Sequence, residues 1–135
     1  MDIKLGDLIS PLTASGLQPK QAVRFLEAVS GSIDHELSNR AIDPSSIRVK
    51  FPKNETFFTL GVIPEPTLVD SIYASTGMTR DSVRTYLDHL DGHLRPKIYH
   101  LSEPIRLEGF GTITPHQGES ITYEPIAFEY VKPRF

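Results

Sequence analysis

A chain of 135 residues, 39% apolar and 23% charged, has the size and composition of one ordinary globular domain, or of two very small halves sharing a core. With no cysteine, disulfide scaffolds, thiol catalysis and thiolate metal sites are excluded, and apolar runs of only a few residues exclude a membrane helix. The formal charge is −3: residues 1–61 carry seven basic and seven acidic side chains, residues 62–135 seven and ten, so any contact with nucleic acid has to rest on where cations are placed and not on totals.

The opening MDIKLGDLIS lacks the basic start and continuous apolar stretch of a signal peptide, so a cytoplasmic protein is expected and the Asn54-Glu55-Thr56 sequon is read as a loop accident. Leu5, Leu8, Ile9 and Leu12 predict a short helix, broken at Ser15-Gly16. Gln18 followed by Pro19 suits the start of a long helix, because proline at the first helical position misses no amide hydrogen. Ala22, Leu26, Val29, Ile33 and Leu37 form its apolar stripe. IRVKF (47–51), a PKNE turn (52–55) and TFFTLGVI (56–63) read as a hairpin, and GVIPEP (61–66) as a connector.

A second short helix carries Leu68, Val69 and Ile72, opened by Pro66-Thr67 with Asp70 at the capping-box position. Thr76-Gly77 breaks the chain again. Thr79 then supplies an N-cap and Asp81 a first-turn carboxylate for a second long helix, striped by Val83, Leu87, Leu90, Leu94 and Ile98. Pro96 is expected to kink or end that helix near Arg95. IRLE (105–108), Gly109-Phe110-Gly111 and TITP (112–115) predict another hairpin, HQGES (116–120) a loop, and ITYEPIAFEYV (121–131) a last strand in which Ile126, Phe128 and Tyr130 alternate onto one face. Pro125 and Pro133 keep that strand at an edge or bulge it.

The two halves repeat. Residues 16–37 align without gaps on 77–98, an offset of 61, and both stripes step 4, 3, 4, 4, the spacing of one buried helical face. Gly16/Gly77, Leu26/Leu87 and Gly31/Gly92 are identical, and Phe25 and Tyr86 place a matching aromatic beside each stripe. The reading is an α+β chain of two halves, 1–61 and 62–135, each a helix–turn–helix pair followed by a β-hairpin or a three-stranded sheet.

TLVDSIYASTGMTRDSVRTYLDHLDGHL followed by IRLEGFGTIT at 105–114 resembles the HU/IHF superfamily of bacterial DNA-bending proteins, in which a short helix, a glycine-containing turn and a long helix precede a strand ending in G-F-G-T-F. ITYEPIAFEYVKPRF is similar to the closing strand of the divergent, armless HU-like domains. The resemblance covers the second half; the first half, more degenerate, joins it through the repeat. It implies an intertwined two-fold body whose long helices pack across the partner, so two such halves in one chain imply a covalent, monomeric pseudo-dimer, with a homodimer as the other assembly open to it. The family clamps DNA with long basic arms tipped by a proline wedge. The arm would emerge between Thr114 and Ile121, where PHQGES holds no Lys or Arg, and the first half has only PKNE; both arms are missing.

Without arms, a DNA contact would fall to the hairpins: Arg48 and Lys50, alternating with Ile47, Val49 and Phe51; Lys53 at the turn; Arg106, the second half's counterpart of Arg48; and Lys132 and Arg134 after the last strand. Glu108 and Glu129 lie among these cations and oppose phosphate. His89 and His93, four apart on one helix, have a spacing that can share a metal, but no third ligand converges, and a solvated helix face is the reading. No metal and no cofactor are expected. No nucleophile elbow, phosphate loop or zinc motif is present, so no catalytic residues and no enzyme activity are expected. The sequence therefore points to an HU/IHF-like, nucleoid-type protein binding double-stranded DNA weakly and without sequence preference. The alternative is an interaction or assembly module that keeps the HU body, has lost DNA, and binds another protein.

Overall fold

The two apolar stripes become the two long helices of the fold. A computed structural model describes residues 2–42, 47–50, 54–99, 104–117 and 125–131. A two-residue strand β1 (Asp2–Ile3) precedes helices α1 (Leu5–Ala14) and α2 (Pro19–Asn39); strand β2 (Ile47–Lys50) and a 3₁₀ turn (Phe57–Thr59) lead to helices α3 (Glu65–Thr76) and α4 (Arg80–Tyr99); strands β3 (Ile105–Leu107), β4 (Gly111–Gln117) and β5 (Pro125–Val131) follow. The chain is mixed α+β, as expected.

Each helix break has a local cause. After α1 the Leu17 N–H reaches back to Leu12 O and the Gly16 N–H to Thr13 O, a Schellman stop in which Gly16 stands at φ 106°, where a side chain would be strained. Gly77, its repeat counterpart, ends α3 at φ 73° with one bond to Tyr73 O. The starts differ in detail. Gln21 Oε1 accepts the Gln18 N–H, with Pro19 in the first turn, and Thr79 Oγ1 accepts the Ser82 N–H at the head of α4. The expected opening of α3 at Pro66-Thr67 is corrected: the helix begins at Glu65 after Pro64, and Asp70, freed of a capping task, pairs with Arg80 at 2.6 Å. Pro96 does not end α4 near Arg95. The helix continues to Tyr99, because one proline in its last turn costs a single backbone bond.

Nine stripe positions are buried: Ala22, Leu26, Val29, Ile33 and Leu37 on α2 and Val83, Leu87, Leu90 and Leu94 on α4. Ile98, the tenth, has no described side chain. The packing crosses between the halves: α2 lies against α3 as well as α1, and α4 against α1 as well as α3. Phe25 meets Tyr86 edge-on, with centroids 5.6 Å apart and planes at 73°, a favoured aromatic geometry.

The first hairpin does not form. Residues 56–63, expected as a strand, turn back on themselves, with Leu60 in the left-handed region at φ 54°. The reason is packing: Phe57, Phe58, Leu60 and Ile63 are each 1% exposed, and side chains spaced 1, 2 and 3 apart cannot all reach the core from one face of a strand. Phe58 instead packs its ring on Phe110 at 5.4 Å. Strand β2, left without that partner, pairs antiparallel with β5, and the sheet runs β1-β3-β4-β5-β2. The second hairpin forms as expected between β3 and β4, and β1 adds parallel to β3. Ile3, Ile105, Leu107 and Ile113 put one face of this sheet into the core, while Asp2 and Arg106 alternate with them and are exposed.

Leu26 and Leu87, at 2% and 0% exposure, occupy equivalent central positions. Leu26→Ala and Leu87→Ala should each cost about 2–5 kcal/mol in chemical denaturation; losses below about 1 kcal/mol at both would contradict a shared core.

Candidate nucleic-acid interface

The expected cations are carried by the sheet, whose register decides their company. On β3, Arg106 is exposed and stands opposite Thr112 of β4 on one side and Asp2 of β1 on the other. Arg48 and Lys50 lie on β2, the edge strand, opposite Glu129 and Ala127 of β5. Glu129 in turn stands opposite Thr114. From β3 to β2 is three strand spacings, about 14 Å. The sheet therefore brings Arg48 and Lys50 together and holds Arg106 well apart, and the two arginines each have an acid directly across the ladder. Lys53, Lys132 and Arg134 lie outside the described residues.

Glu108 does something different from what its position among cations suggests. Its Oε2 accepts the Leu5 N–H at 2.9 Å while its own N–H donates to Ile3 O at 3.0 Å. The carboxylate sits on the N-terminus of α1, where unpaired amide hydrogens and the helix dipole favour negative charge. It is a long-range cap that ties the β3–β4 turn to the first helix.

Where an arm would leave the body, β4 and β5 stay paired to Gln117 and Pro125, with a bulge at His116/Gln117. The connection, residues 118–124, contains Glu119 and Glu124 and no Lys or Arg, so no basic ribbon is available.

The histidines of α4 have different partners, one in the first half and one on α4 itself. His89 Nδ1 meets the Ser15 hydroxyl at the α1–α2 break. His93 Nε2 lies 3.3 Å from Lys97 Nζ; partial burial and that lysine hold the imidazole below its usual pKa, against an opposing pull from Asp7. Among the described residues no cluster of three His, Asp or Glu side chains could hold a metal, and no described helix is long and apolar enough to cross a membrane. Asp91, on the same helix, is a structural organiser. Its Oδ1 accepts the Phe57 N–H at 2.6 Å, and Arg95 donates Nε to its Oδ2 at 2.8 Å and Nη2 to Glu55 O at 2.9 Å. The i,i+4 spacing of Asp91 and Arg95 marks their pairing in the sequence, but nothing local marks the clamp they make, whose partners are 34 and 40 residues away.

Models of known protein families, curated proteins and solved structures contain no match to this chain.

If Glu108 is a cap, Glu108→Ala should lower stability by about 0.5–2 kcal/mol, read from denaturant midpoints at unchanged slope. An unchanged midpoint would return Glu108 to the solvated face.

Proposed function

We propose that this chain is a covalent HU/IHF-like pseudo-dimer which contacts duplex DNA weakly, through backbone phosphates and without sequence preference. One observation carries the reading: each long helix is covered by the short helix of the other half, α2 by α3 and α4 by α1. That cross-packing is what an intertwined two-fold body requires of two halves joined in one chain. Phe25 and Tyr86, equivalent under the offset of 61, touch each other, as residues flanking an internal two-fold axis do. Phe58 and Phe110, one from each half, make a second such contact. On this reading the outer row of the sheet, with Arg106, Arg48 and Lys50, takes the phosphates.

A second reading is favoured by the register itself. Asp2 opposite Arg106 and Glu129 opposite Arg48 offset two of the three cations of the row, and such a face suits a protein partner better than a polyanion. On this reading the HU-like body serves assembly.

Two measurements separate the possibilities. Residues 62–135 expressed alone should be unfolded or insoluble, because this half would lose the helix cover and both outer strands that the first half supplies; a cooperative monomer would overturn the pseudo-dimer. For DNA, anisotropy titration of the whole chain with a labelled duplex should give dissociation constants on the order of 10⁻⁴–10⁻⁶ M at physiological salt. With Arg48, Lys50, Lys53 and Arg106 engaged, log affinity against log salt should have a slope of about −3 to −4. Arg48→Glu with Lys50→Glu should abolish binding, and His89→Ala with His93→Ala should leave it unchanged. No binding at about 50 mM salt would hand the function to the assembly reading.

A further inference from the structure

The internal repeat gives the fold two comparable seams, α2 against α3 and α4 against α1, and they differ in what lines them. His89, His93 and Lys97 succeed one another at i,i+4 and so share one side of α4. Their counterparts on α2, at the offset of 61, are Ala28, Ser32 and Glu36, none of them an imidazole. The two ends of α1 attend the two histidines. Ser15, just past its last turn, bonds His89, and Asp7 in its first turn is close enough to act on His93.

The hydrogen bonds assign the protons. The Ser15 hydroxyl donates its one hydrogen to Pro11 O at 2.8 Å, so in its bond with His89 the ring Nδ1 is the donor. That nitrogen carries hydrogen in the neutral tautomer and in the charged ring alike, and acid leaves the bond intact. His93 is the reverse case. An ammonium has hydrogens to give and no lone pair to accept with, so the 3.3 Å bond from Lys97 Nζ to His93 Nε2 needs a bare Nε2, which only the neutral ring has. A proton added there sets two cations face to face. Burial opposes the charged ring most, the Lys97 ammonium next, and the Asp7 carboxylate favours it.

We propose that the α1–α4 seam is a pH-sensitive latch, closed while His93 is neutral and loosened by protonation of that one ring, with no equivalent in the α2–α3 seam. Lys97 stays beside His93 when α1 moves away, but the burial is relieved, so a proton on His93 favours release. The sign follows from a ring held below its usual pKa in the folded chain. Its contribution to stability is complete above the unfolded value, about 6.5, and is lost as pH falls through the lower folded one.

The latch depends on the packing of α1 on α4 and on neither role proposed for the sheet. It is tested by two measurements on the whole ¹⁵N-labelled chain. Imidazole ¹H–¹⁵N spectra followed from about pH 8 to about pH 5 should show both rings as Nδ1–H tautomers at high pH, with His93 titrating below the unfolded ring. Lys97→Met should move that titration up. Asp7→Asn, which keeps an oxygen for the Lys4 N–H, should move it further down. Amide exchange, expressed as protection so that its intrinsic pH dependence cancels, should show Leu8, Ile9 and Leu12 losing several-fold between about pH 7.5 and about pH 5.5, while Leu68, Val69 and Ile72 of α3 hold theirs. His93→Gln keeps an acceptor for Lys97 without the titrating group and should abolish the loss, whereas His89→Gln should keep it. His93 titrating at or above the unfolded value, a titration indifferent to Lys97→Met, equal losses in α1 and α3, or a loss that survives His93→Gln or vanishes with His89→Gln would each overturn the latch. A flat response of α1 beside a normal DNA titration and an unfolded 62–135 fragment removes this inference alone, whereas a folded fragment removes the pseudo-dimer.

Discussion

The constraint on which the rest of this fold depends is the packing of each long helix against both short helices, its own half's and the other's. A short helix of ten or twelve residues covers only part of a stripe that runs more than four turns. The other half's short helix packs against the same long helix. Burying a leucine or isoleucine contributes roughly 1.5–3 kcal/mol, and six of the nine buried stripe positions are leucine or isoleucine, so the cross-packing is a large term in stability. The cross-packing then fixes the positions of all four helices and sets the platform on which the sheet is laid.

That platform makes the two halves chemically unequal although their helices repeat. The second half places a hairpin on it, and the first places a folded-back aromatic turn, clamped by Asp91 and Arg95. Because Phe57 and Phe58 are consumed by the core, strand β2 has to find its ladder elsewhere and takes the free side of β5. The cations expected on two equivalent hairpins therefore end up on one sheet, at strands of different rank. The acids close to them are not equivalent either: Glu108 is committed to the start of α1, whereas Asp2 and Glu129 stand directly across the ladder from arginines.

How much of this could be read from the sequence follows from the range of the deciding interactions. The helices were readable because a 4, 3, 4, 4 apolar spacing has one economical explanation and because Gly16, Pro19, Gly77 and Thr79 act on their immediate neighbours. The turn at 57–59 was not. TFFTLGVI has the β-branched and aromatic composition of a strand, and only contacts with α4 and with Phe110 make it fold back. Strand β1 is two residues long and exists because β3 passes beside it, which no local pattern can announce. The basic residues were visible as residue types, but the register that sets an acid opposite two of them belongs to the pairing of strands far apart in the chain.

The strand order has a consequence for how the chain is made. Both outer strands, β1 and β2, come from the first fifty residues, and all three strands between them from the last thirty-one. On a ribosome, where domains normally fold as they emerge, the first half has nothing to pair with for most of synthesis. Its helices leave the exit tunnel with their stripes uncovered, and its strand edges stay open until β5 follows. Closing so many distant contacts at once slows folding and leaves a sticky nascent chain in the meantime. A fold of this order places its greatest demand on the cell's chaperones before the final strand has slotted between its neighbours, and its least afterwards.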